Sequence, residues 1–183
     1  MKKEATEQIQ EIVDPERSPD RACEYWQQLS RKAHSGNLSI LELPKTAFLC
    51  SRQIPAEAVL KCYDWAIHMR ETGGCVISGF HSPLEQDVLH YLLKGKQAVI
   101  MALARSMKTT WDADIQIALE DGRLLIITPF GEQTKRASAE TAAVRNDLML
   151  QLADDIVVGY LDPAGILGKR LSFEQEKDVV YLT

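Results

Sequence analysis

The chain has 183 residues, a formal net charge of -5, and a composition of 45% hydrophobic, 26% charged and 7% aromatic residues. That length supports one core with a short appendage, not two full domains, and the composition excludes the disordered and fibrous classes. The acidic balance excludes a surface given over to neutralising a nucleic-acid backbone, a task of Lys and Arg, while leaving room for a local basic patch.

In chain order, the first twenty residues are charged, carry Pro15 and Pro19 and lack apolar periodicity; they read as a mobile tail or a loosely docked helix. From residue 20 to Gly36, the residues Ala22, Trp26, Leu29 and Ala33 fall at helical spacing, and Gly36 is a normal helix stop. This amphipathic helix would cap the edge of its own sheet or pair with a second copy of the chain in a homodimer. Residues 38–45 read as a linker. A short apolar strand over 46–51 then leads into a helix with Pro55 in its first turn, closed by Gly73 and Gly74. A second strand over 75–80 precedes a helix with Ser82 as N-cap, Pro83 at its first position and Glu85 three residues after the cap.

A third strand over 97–104, a helix from about Thr110 to Asp121 and a fourth strand over 123–130 continue the alternation. A helix over 137–153 aligns Ala143, Asn146, Met149 and Leu150, and strands over 154–162 and 177–183 complete the chain. The apolar runs from Val99 to Leu103 and from Leu124 to Ile127 do not alternate with polar residues, as expected for strands covered on both faces. The fold expected is a Rossmann-like, doubly wound α/β domain with a mainly parallel sheet over 44–183, preceded by a tail and helix over 1–43.

Cys23, Cys50, Cys62 and Cys75 show no CxxC spacing and no paired histidines nearby, so they read as reduced thiols without zinc. The N-terminal residues hold no apolar signal region, and no stretch approaches the roughly 18 apolar residues of a membrane span. A cytoplasmic protein without a membrane partner is expected. Both GxGxxG and GxxxxGK[ST] are absent from the sequence, so neither ordinary NAD binding nor a P-loop is supported and no cofactor is expected.

Open parallel sheets bind ligands beyond the carboxyl ends of their strands, where loops meet helix N-termini. The residues placed there are Ser51 and Arg52, then Ser78, Gly79, Phe80, His81 and Ser82, then Arg105 and Ser106, then Thr128, Pro129 and Phe130, and last Asp162 to Gly165. A glycine and two hydroxyls at a helix start make the 77–83 segment a candidate phosphate cradle; the same residues serve equally as a plain turn and cap. Arg52 and Arg105 would add bidentate charge to a bound phosphate, or stand as ordinary surface arginines. Arg145 and Asn146 sit mid-helix, where Asn is a weak helix former, which hints at a polar role or at a tie to a neighbouring loop. His81 could act as donor or base, but nothing in the sequence fixes a carboxylate beside it.

Taken together, FLCSRQIP, the stretch from Cys75 to Met107, GRLLIITPF and SAETAAVRNDLMLQLADDIVV resemble the Rossmann-like core of the DNA-processing protein A (DprA/Smf) family over about residues 45–165. In that family a Gly-Ser-Arg loop, an anion-binding Ser-Gly-Gly loop, a Pro-containing loop and an Arg-Asn pair recur. The positions that match are Ser51 with Arg52, Ser78 with Gly79, Pro129, and Arg145 with Asn146. Cys50 stands where the family has the first glycine, and Phe80 and His81 replace the second glycine and its small neighbour. The resemblance implies binding of single-stranded DNA or of a nucleotide-derived phosphate ligand.

The wider superfamily includes lysine-decarboxylase-like enzymes that cleave nucleotides, and such a hydrolase, with His81 or Glu85 as acid/base, is the alternative reading. Their PGGxGTxxE motif has no counterpart between Asp162 and Leu171, which holds Pro163 and Gly165 without a Gly-Thr pair. DNA binding would call on Phe80, Phe130 and Arg136 as stacking and charged contacts. The expected function is a non-catalytic or weakly catalytic binding module whose ligand contacts are Ser51, Arg52, Ser78, Gly79, His81, Ser82, Arg105, Pro129, Arg145 and Asn146.

Overall fold

The computed structural model describes residues 34–162, 165–171 and 177–182. The expected tail, the helix over 20–33 with Trp26, and Pro163 and Ala164 lie outside the described residues. In chain order the elements are β1 (His34–Gly36), a 3-10 helix (Leu38–Glu42), β2 (Lys45–Leu49), α1 (Ala56–Thr72), β3 (Cys75–Ser78), α2 (Pro83–Leu93) and β4 (Val99–Ala102). There follow α3 (Ala113–Glu120), β5 (Leu124–Ile127), α4 (Ala139–Leu152), β6 (Asp155–Val158), α5 (Ile166–Leu171) and β7 (Val179–Tyr181).

The strands form one sheet in the order β1-β5-β4-β3-β2-β6-β7. All neighbours are parallel except β1, which runs antiparallel to β5. Successive strand residues point to opposite faces, and here both faces are covered. Ala47, Ile77, Ile100, Leu125 and Ile156 pack with Leu148, Met149 and Leu152 of α4. Phe48, Val76, Val99, Ile126 and Val157 pack on the other side with Cys62 and Ala66 of α1, Val88 and Leu92 of α2, and Ala118 of α3. Double coverage explains why the strands read as unbroken apolar runs.

From β2 the chain builds outward through β3, β4 and β5, then α4 carries it back across the opposite face to place β6 on the other side of β2. The strand order therefore reverses between β2 and β6, and the crevice beyond their carboxyl ends is where such sheets take ligands.

Helix ends follow local chemistry. Gly73 closes α1 in the left-handed region at φ 82°, its N–H donating to the Met69 carbonyl. Ser82 and Glu85 form a capping box at the start of α2, and Ser138 with Thr141 does the same for α4.

The expectation of a helix running to Gly36 and a linker over 38–45 is corrected for its described part. His34 to Gly36 pair with β5, and Ile40 and Leu41 of the 3-10 helix are buried in the core. Gly36 is required here by a φ of 103° and by its approach to the Leu124 carbonyl, where any Cβ would collide. A three-residue strand is too short to show alternation, so the glycine alone suggested a helix stop.

Candidate anion-binding site at the carboxyl edge of the sheet

Helix α4 buries Arg145, Leu148, Met149 and Leu152, which recur at the i, i+3, i+4, i+7 spacing of one helix face. Three of the four are apolar core residues. The fourth is a guanidinium, only 7% exposed, that reaches the loop after β3. It lies against Gly79, where any Cβ would run into its Nη1, Cζ and Nε atoms. Gly79 is thus needed for close approach of Arg145, since its own φ is not in the left-handed region. The next residue, Phe80, does hold that region at φ 46° and is buried. A bulky side chain there is a strained conformation of the kind that collects at binding sites.

The partners of Arg145 are unusual for a buried charge. Its Nε and Nη2 both donate to Asn146 Oδ1, at 3.1 and 2.8 Å. That acceptor is neutral. Among the described residues no carboxylate lies within 4.0 Å of the guanidinium, and Nη1 has no hydrogen-bond partner. Burial pushes the guanidinium pKa down from its ordinary value, Glu85 pulls it back up, and Arg52 pushes it down again. The buried Glu85 and the exposed Arg52 thus act on Arg145 with opposite sign.

Glu85 is 5% exposed and turned onto the start of its own helix. Its Oε2 accepts from His81 N and Ser82 N, both at 2.9 Å, while Ser82 Oγ accepts from Glu85 N at 3.2 Å. The backbone donors expected to cradle a phosphate thus already hold a carboxylate of the chain itself. Glu85 acts as a cap, and the free positive charge of this edge comes from arginine side chains. Its charge also reaches Cys50, whose thiol is pushed up by a hydrogen bond with Cys62, by burial and then by these neighbours.

The other expected residues are placed as follows. Ser78 is fully buried, its hydroxyl donating to the Phe48 carbonyl at 2.8 Å and tying β3 to β2. Ser51 joins the loops after β2 and β6: its N–H donates to Tyr160 O and its Oγ accepts from Asp162 N, each at 2.9 Å. His81 has an exposed side chain and Ser82 caps α2. Arg105 stands on the neighbouring β4–β5 loops, where the Thr128 hydroxyl donates to its carbonyl at 2.6 Å, and its own Nε is buried without a partner. Pro129 is half-buried beside it. The structure thus brings Gly79, Arg145 and Asn146 into contact and joins His81 and Ser82 through Glu85, while the Arg52 side chain is exposed. It uses Ser51 and Ser78 to fasten strands and loops, and sets Arg105 and Pro129 on the adjacent pair of loops.

The sequence reading left Glu85 open between cap and acid/base, and it missed the burial of Arg145. The signal was available in the spacing of Arg145 with Leu148, Met149 and Leu152. Phe80 and Phe130 are 6% and 7% exposed, so neither offers a ring face to a base, whereas Arg136 is exposed. Cavities of about 450 and 510 Å³ lie elsewhere, beside Arg70, Lys94 and Gln97 and beside Trp111 and Leu119; Arg52, Glu85 and Arg145 line neither. Among the described residues no group of His, Cys, Asp or Glu is placed to hold a metal ion, and no helix is long and apolar enough to cross a membrane.

No family model and no curated protein of similar sequence matches the chain. Among solved structures, DNA processing protein A from Streptococcus pneumoniae matches with a TM-score of 0.65 and 16% identity over 81% of this chain and 53% of that one. The same protein from Helicobacter pylori, described in a single-stranded DNA binding mode, matches with a TM-score of 0.65 and 17% identity over 81% and 69%. The Moco carrier protein of Chlamydomonas reinhardtii matches with a TM-score of 0.48 and 11% identity over 76% and 75%. The chain spans about half the length of the pneumococcal protein. The fold is Rossmann-like and similar to that of DNA processing protein A, as the sequence resemblance implies.

Proposed function

We propose that the chain is a non-catalytic binding protein for a phosphate-bearing ligand, a nucleotide or a stretch of single-stranded nucleic acid, held at the carboxyl edge through Arg145 and Arg52. One observation carries this reading: Arg145 is buried with a neutral acceptor on two of its nitrogens and no carboxylate within ion-pair distance. A buried charge without a direct ion pair is costly, and an arriving phosphate would supply a counter-charge in the bidentate geometry that guanidinium prefers. Asn146 acts as a positioning residue, aligning the fork without neutralising it.

The likeness to a fold that binds single-stranded DNA in Helicobacter pylori supports the nucleic-acid form of the ligand. The net charge of -5 favours the small-ligand form, because few cations are left to track a backbone. A thermal-shift series with AMP, GMP and a short oligothymidylate separates the two. A ligand of the native state raises Tm by mass action, so one of these probes is expected to raise it in the parent and not in Arg145→Ala. Equal shifts in both proteins would place the ligand elsewhere.

A further inference from the structure

The opposite, amino-terminal edge of the sheet carries a second concavity. Helices α1 and α2 both end there, where the chain turns into β3 and β4. A cavity of about 450 Å³ lies between the two ends, walled by Arg70, Glu71 and Gly73 from α1 and by the turn over 94–97 after α2. Three of its residues, Arg70, Lys94 and Lys96, are cations, and Glu71 is its one carboxylate. Glu71 Oε1 lies 3.7 Å from Arg70 Nη2 with its side chain 66% exposed, a contact weakened by solvent. Lys94 and Lys96 are exposed, and among the described residues neither has a carboxylate within 4.0 Å.

Cations gather at helix C-termini because the last carbonyls carry a partial negative charge. At α2 those carbonyls are served by other groups. Leu92 O accepts from Gly95 N and from Gln97 Nε2, at 3.0 and 2.9 Å, and Leu93 O accepts from Arg123 Nη2 at 2.7 Å. The floor of the cavity adds an acceptor. Gln97 is 5% exposed, and with its Nε2 given to Leu92 its Oε1 is buried without a partner. Gly95 covers that oxygen: a Cβ there would collide with Oε1 and with Cγ of Arg70. We propose that this cavity is a second ligand site, independent of Arg145, and that it takes a sugar phosphate. The phosphate lies among Arg70, Lys94 and Lys96, and a sugar hydroxyl donates to Gln97 Oε1 as the Gly95 turn, which has no side chain, shifts aside. A bare phosphate would leave the buried acceptor unpaired, and a neutral sugar would leave the cations unused. The volume suits a small ligand.

The test titrates the full, nitrogen-15-labelled chain with ribose 5-phosphate, inorganic phosphate and ribose, reading backbone amide resonances. Saturable shifts at Gly73, Gly95 and Lys96 are expected with ribose 5-phosphate, with affinity about tenfold above that of inorganic phosphate and no binding of ribose. Lys94→Ala combined with Lys96→Ala, both at exposed positions, should weaken ribose 5-phosphate binding by about tenfold or more. Gln97→Met should bring it down to the affinity of inorganic phosphate, and Arg145→Met should leave it as in the parent. Absence of shifts at these three amides, or undiminished binding in the double lysine variant, overturns the proposal. So does inorganic phosphate binding as tightly as ribose 5-phosphate in the parent. Shifts confined to Gly79 and His81 and lost in Arg145→Met would place the sugar phosphate at the carboxyl edge, overturning this site while supporting the other.

Discussion

At the scale of single residues, a charge stands where core packing calls for an apolar side chain. Arg145 occupies the same face of α4 as Leu148, Met149 and Leu152, and a residue kept there for function rather than stability should trade one for the other. Arg145→Met fills the space without the unpaired charge. It is expected to stabilise the fold by about 1–2 kcal/mol in chemical denaturation and to abolish phosphate binding; a loss of stability would make the arginine structural. Asn146→Asp tests the same logic from the partner. A carboxylate at that position pairs with the guanidinium that Oδ1 now only orients, so stability should rise while affinity for AMP or oligothymidylate falls by about tenfold or more. Gly79→Ala meets the guanidinium directly, and weaker binding with a modest loss of stability is expected in the same assays.

At the scale of elements, the start of α2 and the pairing of β1 make opposite demands on the sequence. Glu85 accepts two backbone N–H groups and also sets its charge near Arg145. Glu85→Gln should therefore lower stability by about 1–2 kcal/mol through the weakened cap and tighten anion binding by removing the nearby negative charge. Gly36→Ala, which forces a side chain onto the Leu124 carbonyl at φ 103°, should lower Tm by several degrees.

The parallel strands were legible in the sequence because burial on both faces leaves unbroken runs such as Leu124–Ile127, and the helix starts because Ser82, Pro83 and Glu85 spell out a cap. β1 and the 3-10 helix were not, because three residues show no period and Gly36 has two physical uses. At the candidate site, the weak helix former Asn146 marks the turn of α4 in which Arg145 is buried. The competition of Glu85 for the cradle's own amides was open in sequence, since a box residue and a pocket carboxylate occupy the same position.

At the scale of the whole molecule, topology decides which loops share the carboxyl edge of the sheet. The strand order reverses between β2 and β6, Ser51 ties the two emerging loops together, and Arg145 reaches the next loop across the edge of the sheet. The chain's excess of acid over base limits how many phosphates it can hold, so a small ligand and a long strand should differ in salt dependence. A ligand whose phosphate meets Arg52 and Arg145 alone is expected to show a slope in log affinity against log salt of about -1 to -2, much shallower than that of a protein tracking many phosphates. The most direct test is equilibrium titration of the parent and Arg145→Met with AMP and with oligothymidylate, stability being measured on the same samples. Saturable binding of either probe by the parent, lost in a variant that is at least as stable, is the predicted result. Undiminished binding by Arg145→Met would contradict the site.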